Sequence, residues 1–298
     1  MSTYLPTIKQ LQYLVALHEH QHFGRAAEAS FVSQSTLSAG IRELESLLGV
    51  TLVERSRRVV RFTPLGKNVV DKAHRVLRET EELAELVQAA GKPLSGELRM
   101  SVIPTIAPFF LPRILPRLRR ERPQLKLFLR EETSDHAIES LHHGRADCVL
   151  LALPFATGEV ESEIIQDDAL HVAFPKDDPR DPPAEIPPNM IDEGRLLLLE
   201  DGHCLKEHAL AACNRPEMRA SATMIGTSLH TLVQMVDNGL GLTMLPQMAI
   251  DAGILHETDV VARPLKGTNT SRQIALVWRA NSPRADEFKL LAEELRAG

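Results

Sequence analysis

Cysteine and aromatic residues are scarce in this sequence, and it contains no long hydrophobic run. Its 298 residues include three cysteines, one tryptophan and two tyrosines. Three cysteines cannot form the disulfide framework of small secreted proteins, so we expect any disulfide to be functional rather than architectural. The few aromatic rings argue against RNA recognition by base stacking. No apolar run approaches the roughly 18 residues of a membrane helix and the N-terminus does not resemble a signal peptide, which predicts a cytoplasmic protein without membrane contact.

The net charge of −6 is divided unevenly along the chain. Residues 1–78 contain 11 Lys and Arg against 6 Asp and Glu, whereas the remaining 220 residues contain 23 against 34. A basic N-terminal part suits a polyanionic partner, and an acidic remainder does not. We therefore expect two parts with different partners.

Apolar residues at helical spacing predict three helices in the first 50 residues, over 8–20, 23–30 and 34–48. Ser33 is the expected N-cap of the third helix, and Gly49 ends it. Leu37, Ile41 and Leu44 face the core, which leaves a polar face exposed to DNA. The predicted DNA-binding residues on this helix are Ser33, Gln34, Ser35, Thr36, Ser38 and Arg42.

Residues 52–62 read as two short strands around an arginine-rich turn, before Thr63 and Pro64 begin a new helix. This pattern indicates a wing beside the third predicted helix, which we call the reading helix because its polar face would contact the bases. The wing side chains would bind phosphates or a narrow minor groove. The predicted wing contacts are Arg55, Arg57, Arg58 and Arg61.

The helix that follows carries a stripe at alternating four- and three-residue steps: Val69, Ala73, Val76, Thr80, Leu83, Val87 and Ala90. Such a heptad stripe predicts a coiled-coil seam and a homodimer. The alternative is that the stripe packs against its own domain. Charged residues surround the stripe, which argues against that alternative. A dimer would present two reading helices to two half-sites.

The segments L-Q-Y-L-V-A-L, F-G-R-A-A-E-A-S-F-V-S-Q-S-T-L-S-A-G-I-R-E-L-E, L-G-V-T-L-V-E-R and F-T-P-L-G together resemble the winged helix-turn-helix of LysR-type transcriptional regulators. The resemblance implies a DNA-binding regulator of promoters, not an enzyme, without a cofactor and with RNA polymerase as a further partner. It also implies a dimer of dimers. The expected domains are a winged helix-turn-helix over 1–63, a linker and dimerisation helix over 64–90, a hinge over 91–96 and an effector domain over 97–298.

After residue 96, short apolar strands alternate with amphipathic helices, which predicts α/β structure with a mostly parallel sheet. Two such lobes fit the periplasmic-binding-protein-like effector domain that the LysR resemblance implies. The expected fold is therefore multidomain: a winged helix-turn-helix plus a two-lobed α/β domain. Such effector domains commonly bind a small molecule in the cleft between the lobes.

Residues 196–213 (L-L-L-L-E-D-G-H-C-L-K-E-H-A-L-A-A-C) combine a strand, a turn and a helix with Cys204 at its start and Cys213 at its end. The helix dipole and a protonated His203 would favour the Cys204 thiolate, the form that attacks peroxide. Nine residues of intact helix rise about 13 Å. A disulfide needs Cα atoms within about 7 Å, so linking the two cysteines requires the helix to unfold.

Other interpretations of these residues remain open. Either cysteine can be a small buried hydrophobe, and we assign Cys148 in the strand D-C-V-L-L to that class. Cys204, His208 and Cys213 can instead ligate a metal, although no fourth ligand is evident and we predict none. A Cys-His hydrolase is a third interpretation, but nothing in the sequence indicates the supporting acidic residue or the oxyanion hole that such an enzyme needs.

The segments E-D-G-H-C-L-x(8)-C, T-S-L-H-T-L-V-Q-M-V-D-N-G-L-G-L-T-M-L-P and V-I-P-T-I-A-P resemble the peroxide-sensing members of the LysR family. That resemblance implies a hydrogen-peroxide sensor that controls antioxidant genes through a reversible disulfide, with Cys204 as peroxidatic and Cys213 as resolving cysteine. The residues implied around the peroxide are Thr105, Thr133, His203 and Arg272. His230 departs from the pattern, in which an acidic residue is common. A LysR-type regulator that answers a metabolite in its cleft is the alternative.

Overall fold

The structure is a computed structural model that describes residues 5–55, 60–89, 93–179, 182–213, 225–267 and 270–297. The chain divides into two units, Met1–Gln88 and Ala89–Gly298, each with its own hydrophobic core.

The N-terminal unit begins with the three predicted helices, α1 (Ile8–His20), α2 (Phe23–Ala29) and α3 (Gln34–Leu48). The Ser33 hydroxyl accepts a hydrogen bond from the Thr36 amide at the start of α3, and Gly49 ends the helix with a left-handed φ of +67°. Leu37, Ile41 and Leu44 are buried in the core of this unit, as the spacing predicts.

Two antiparallel strands, β1 (Val53–Arg55) and β2 (Val60–Phe62), form the predicted wing. The long helix α4 (Pro64–Ala89) follows. The Thr63 hydroxyl accepts a 2.9 Å hydrogen bond from the Gly66 amide, which confirms Thr63 as the residue that caps α4. Arg57 and Arg58 lie outside the described residues, as does Ala90 of the predicted stripe.

In the part of the C-terminal unit that the structure describes, a nine-stranded sheet is covered by helices. Its elements are β3 (Gly96–Val102), α5 (Ala107–Glu121), β4 (Leu125–Glu131), α6 (Ser134–His142), β5 (Cys148–Leu153), β6 (Val160–Pro175), β7 (Leu196–Leu199), α7 (Cys204–Ala212), β8 (Ile225–Gly226), α8 (Leu229–Asp237), β9 (Leu242–Pro246), α9 (Gln247–Asp251), β10 (Val260–Pro264), β11 (Ser271–Arg279) and α10 (Ala285–Arg296). Two short 3-10 helices, Pro188–Met190 and Glu193–Arg195, precede β7.

The sheet is mixed, so the expectation of a mostly parallel sheet is wrong. Strands β3, β4 and β5 pair in parallel, as do β7, β8 and β9. The long strands β6 and β11 pair antiparallel to each other and to their other neighbours. Strand β6 was not predicted from the sequence, because charged residues such as Glu161 and Glu163 interrupt the run of apolar residues in this strand.

The C-terminal unit has two lobes, as predicted. Lobe one holds β3 to β5 with α5, α6 and α10, and lobe two holds β7 to β10 with α8 and α9. Strands β6 and β11 lie side by side in lobe one, and the second half of β6 continues into lobe two against β9 and β10. Helix α7 contacts β5 and β7 and therefore lies between the lobes. His230 on α8 stacks on Phe109 of α5, with ring centroids 5.6 Å apart.

Candidate functional site

Cys204 begins α7 and is completely buried. It follows β7 and a turn in which Gly202 has a left-handed φ of +90°. The Cys204 amide donates a 3.2 Å hydrogen bond to the Ser134 hydroxyl, and the Asp135 amide donates to the Gly202 carbonyl at 3.4 Å. The starts of α6 and α7 therefore meet, and the positive ends of both helix dipoles lie near the Cys204 sulfur.

The surroundings of Cys204 act on its pKa in opposite directions. Burial raises the pKa of the Cys204 thiol above its usual value, while the Arg272 charge, the Ser134 hydroxyl and the Ala152 backbone lower it. Burial is the largest of these effects, so the thiol is mainly protonated at neutral pH. The thiolate is available as a minor form that Arg272 stabilises.

Arg272 is fully buried in β11, and its guanidinium donates hydrogen bonds to three oxygen atoms of two residues, Asp168 and Thr105. Its Nε atom donates to Asp168 Oδ2 at 3.0 Å, and Nη2 lies 2.9 Å from the same oxygen. Its Nη1 atom donates to the Thr105 hydroxyl at 2.8 Å, and Nη2 donates to the Thr105 carbonyl at 3.0 Å. The structure therefore brings together Thr105, Arg272 and Cys204, three of the residues that the sequence suggested.

Thr133 and His203 lie on the segments that meet at this point. A Cβ atom on Gly202 would lie 3.6 Å from Thr133 Oγ1, which itself lies 3.0 Å from His136 Nδ1. His203 is the N-cap residue of α7 but its side chain makes no capping hydrogen bond. Burial lowers the pKa of His203 more than the nearby Glu200 carboxylate raises it. The expectation of a protonated His203 is therefore wrong at neutral pH, and Arg272 supplies the positive charge instead.

Cys213 lies at the other end of α7 as its C-cap, where its amide donates to the Ala209 carbonyl at 3.2 Å. Both Cys204 and Cys213 are buried thiols in this structure, and the helix between them is intact. Cys148 is also buried, at the start of β5, and burial raises its pKa well above the usual value. Cys148 therefore has the character of a core residue, as its sequence context predicts.

His208 ties the middle of α7 to lobe one. Its Nε2–H group donates to the Pro154 carbonyl at 2.8 Å, whereas its Nδ1 atom is buried and has no hydrogen-bond partner among the described residues. Burial lowers the pKa of His208, which keeps the ring neutral. Within the described ranges, no group of three or more His, Cys, Asp or Glu side chains is arranged to hold a metal ion.

The N-terminal end of α3 presents a cluster of hydroxyl groups to solvent. The Ser33 hydroxyl lies 2.8 Å from the hydroxyls of both Ser35 and Thr36. Gln34 is exposed beside them, and the Arg42 Nε atom donates to the Ser38 carbonyl at 3.3 Å. On the wing, Arg61 is exposed on β2 and Arg55 ends β1. The hydroxyl, amide and guanidinium groups on α3 and the exposed Arg61 supply the donors and acceptors that base edges and phosphates require. The side chain of Arg55 lies outside those that the structure describes.

The predicted seam of α4 changes from buried to exposed along the helix. Ala73 is buried, whereas Val76 is 44% exposed and Leu83 is 70% exposed. The side chain of Val87 lies outside those that the structure describes. An apolar stripe that the chain itself leaves uncovered is the pattern expected of a coiled-coil surface.

Three residues of the site were not predicted from the sequence. Ser134 hydrogen-bonds the Cys204 amide, Asp168 pairs with Arg272, and the Pro154 carbonyl holds His208. Only Ser134 had a local signal, because it follows Thr133. The other contacts join segments far apart in the chain.

The helix-turn-helix unit with its exposed reading helix, followed by a two-lobed α/β unit, defines a DNA-binding transcriptional regulator. The family described as "Bacterial regulatory helix-turn-helix protein, lysR family" matches residues 8–67, and "LysR substrate binding domain" matches residues 91–298. The chain belongs to the LysR family of transcriptional regulators. Among the described helices, none has the length and apolar character needed to cross a membrane.

Two of the similar proteins are named regulators that match over nearly the whole chain. The chain is 42% identical to the HTH-type transcriptional regulator EstR of Acinetobacter baylyi, over 98% of this chain and 97% of EstR. It is 39% identical to the dual regulator OxyR of Escherichia coli, over 97% of this chain and 95% of OxyR. Among solved structures it resembles a cysteine-to-aspartate variant of full-length OxyR from Pseudomonas aeruginosa, with a TM-score of 0.75 and 35% identity over 98% of this chain and 95% of that chain.

Proposed function

We propose that this LysR-type regulator senses hydrogen peroxide by reversible formation of a Cys204–Cys213 disulfide. The observation that carries the proposal is the placement of two thiols at opposite ends of one helix, with the first beside a buried guanidinium. Further support comes from the similarity to OxyR, including a solved Corynebacterium glutamicum OxyR variant described as bound to hydrogen peroxide. That structure has a TM-score of 0.66 and 32% identity, over 99% of this chain and 93% of that chain.

The chemistry proceeds in two balanced steps. The Cys204 thiolate attacks one peroxide oxygen, the O–O bond breaks, and the leaving hydroxide takes a proton to become water. Cys204 is then a sulfenic acid. The Cys213 sulfur attacks the Cys204 sulfur, an S–S bond forms, and the sulfenic oxygen leaves as a second water. Two thiols are oxidised and one peroxide is reduced to two waters.

The neighbouring side chains have separate roles in the first step. The Arg272 charge stabilises the thiolate and the leaving hydroxide. The Thr105 hydroxyl oxygen accepts a hydrogen bond from Arg272, so its own hydrogen is available to donate to a peroxide oxygen. Thr133 offers a second hydroxyl beside the Gly202 turn. A neutral His203 fits a role as hydrogen-bond partner rather than as a charge.

Disulfide formation would convert this chemistry into a conformational change. An intact α7 separates its ends by about 13 Å, so at least part of the helix must unwind before the sulfurs can bond. Unwinding would break the His208–Pro154 hydrogen bond that ties α7 to lobe one. We propose that this change reorients the DNA-binding units of a dimer of dimers at promoters of antioxidant genes, with RNA polymerase as the downstream partner in the cytoplasm.

A second candidate function is regulation by a small metabolite in the cleft between the lobes, with the cysteines incidental. The 42% identity to EstR favours it, because the name of that regulator carries no reference to peroxide. The two candidates differ in whether micromolar peroxide alters the protein at all.

Peptide mass spectrometry after brief exposure to micromolar hydrogen peroxide tests the proposal. Trypsin cleaves after Lys206, between the two cysteines, so the disulfide would join two otherwise separate peptides. We expect this linked pair in the wild-type protein and in Cys148→Ser, and its absence in Cys204→Ser. Equal DNA binding by reduced and peroxide-treated protein, with no linked peptide, would refute the peroxide switch and favour the metabolite.

A further inference from the structure

Phe31 stands out among the described residues because it is a large apolar side chain that the fold does not use. It is 95% exposed, more than any other large hydrophobic residue described, the next being Leu5 at 75%. Its backbone has a φ of +54°, the left-handed region that residues with a Cβ atom adopt at a cost. Neither feature stabilises the folded unit, which points to a contact outside it.

The turn around Phe31 is well defined by hydrogen bonds. The Phe31 amide donates to the Glu28 carbonyl and the Val32 amide donates to the Ala27 carbonyl, both at 3.0 Å. These two bonds form the Schellman arrangement that ends α2, in which Phe31 occupies the position usually taken by glycine. Val32 packs against the core of the N-terminal unit. The ring of Phe31 is therefore held outward by a turn that is fixed on both sides.

This turn leads directly into the reading helix. Ser33, two residues after Phe31, caps α3, and Gln34 is the first residue of that helix. A chain spans at most about 3.6 Å per residue, so the Cα atoms of Phe31 and Gln34 lie within about 11 Å of each other. The side chains of Ser33 to Thr36 are all exposed and polar. A helix whose N-terminal end enters the major groove would bring the Phe31 ring to the edge of the same groove.

We infer that Phe31 is a DNA-contact residue that packs its ring on apolar C–H groups of the duplex. The 5-methyl group of thymine is the apolar group that the major groove displays. Deoxyribose C–H groups at the groove edge offer the same chemistry without sequence information. DNA is favoured over a protein partner because the exposed residues that follow Phe31 in the chain are those of the reading helix. The inference rests on the DNA-binding function of the family and not on peroxide sensing.

The test compares Phe31→Gly with wild type in the full-length protein. The probe is a duplex that wild-type protein selects from a random DNA library, and binding is measured by fluorescence anisotropy at several salt concentrations. We expect Phe31→Gly to weaken binding about tenfold, the effect of partly burying an aromatic ring. The salt slope should not change, because no phosphate contact is lost. The Tm should stay the same or rise, because glycine accepts the left-handed backbone.

Gln21→Gly is the matched control. Gln21 is also exposed with a left-handed φ of +48°, but it ends α1 rather than leading into α3. We expect its Tm to respond like that of Phe31→Gly while its DNA affinity remains that of wild type. This control separates relief of backbone strain from loss of a DNA contact.

Replacing single thymines of the duplex by uracil distinguishes the two sources of C–H groups. If the ring contacts a thymine methyl, one replacement weakens wild-type binding and has no effect on Phe31→Gly. If the ring contacts deoxyribose, no uracil replacement weakens wild-type binding, and Phe31→Gly loses affinity for selected and random duplexes alike. A Phe31→Gly protein that binds within twofold of wild type overturns the inference. So does a variant that loses transcriptional activation at unchanged DNA affinity, which would assign Phe31 to a protein partner.

Discussion

The Nε2 atom of His208 lies 2.8 Å from the Pro154 carbonyl oxygen and fastens the middle of α7 to the end of β5. His208→Ala would leave a buried carbonyl unpaired, at a cost of about 1–3 kcal/mol. We expect faster hydrogen exchange of the α7 amides in the reduced protein, and disulfide formation at lower peroxide concentrations. Lys206→Ala on the same helix is the control, because its partner Asp201 is 95% exposed. If the α7 amides of His208→Ala exchanged at the wild-type rate, the His208–Pro154 hydrogen bond would not be what stabilises α7.

The oxidation of Cys204 should accelerate as pH rises. Burial raises the pKa of its thiol, so the thiolate is a minor form at pH 7 and grows about tenfold per pH unit until the pKa is reached. Arg272 lowers that pKa. The double variant Arg272→Gln with Asp168→Asn removes both charges without leaving one unpaired. Its profile of oxidation rate against pH should shift to higher pH, measured by trapping the sulfenic acid. A rate independent of pH between 6.5 and 9 would contradict the thiolate mechanism.

The three cysteines should respond differently to substitution by serine. Cys204→Ser should abolish the peroxide response, whereas Cys213→Ser should still form sulfenic acid at Cys204 without a lasting disulfide. Cys148→Ser should leave the redox chemistry intact, because this thiol is buried in β5 and its pKa is raised well above normal. Sulfenic-acid labelling followed by peptide mapping measures all three. Full peroxide-dependent DNA binding in both Cys204→Ser and Cys213→Ser would rule out the switch.

The exposed stripe of α4 should form the dimer contact. Leu83 is 70% exposed, and Leu83→Glu would place an unpaired carboxylate in a buried seam. We expect dissociation into smaller species in analytical ultracentrifugation. Lys72→Glu, at an exposed position off the stripe, also introduces a carboxylate and should leave the oligomer unchanged. An unchanged sedimentation coefficient for Leu83→Glu would assign the stripe to another role.

The reading helix and the wing should differ in how they affect DNA binding. Arg61→Ala should weaken binding to all sequences and reduce the salt slope by about 0.9 if one phosphate contact is lost. Thr36→Ala should instead relax sequence preference, because its hydroxyl lies in the exposed cluster at the start of α3. Competition between selected and random duplexes measures both effects. If Arg61→Ala altered sequence preference and Thr36→Ala did not, the wing rather than the reading helix would contact the bases, and the proposed placement of α3 in the major groove would be wrong.

The DNA-binding unit was predictable because its signals are local. Ser33 and Gly49 mark the ends of α3, and Thr63 marks the start of α4, each within a few residues of the element it bounds. The C-terminal sheet was less predictable, because β6 and its partner β11 are paired over a long sequence separation. The Arg272–Asp168 pair joins residues 104 positions apart, and the Cys204–Ser134 bond joins residues 70 apart. No local spacing rule reports such contacts, so Asp168 and Ser134 were found only in the folded chain, whereas Thr105 and Arg272 were expected from the family resemblance.

Strands β6 and β11 make the two lobes a single folding unit. The register pairs Val160 to Ala169 of β6 with β11, and the next residues of the same strand, Leu170 to Pro175, pair with β9 and β10 of lobe two. Neither lobe can lose its sheet without removing a partner from the other, and one hydrophobic cluster extends through both. Unfolding of the C-terminal unit should therefore be one cooperative transition. A fragment that ends after β6 would lack β9, β10 and β11, the three strands that pair with β6, and would not be expected to fold alone.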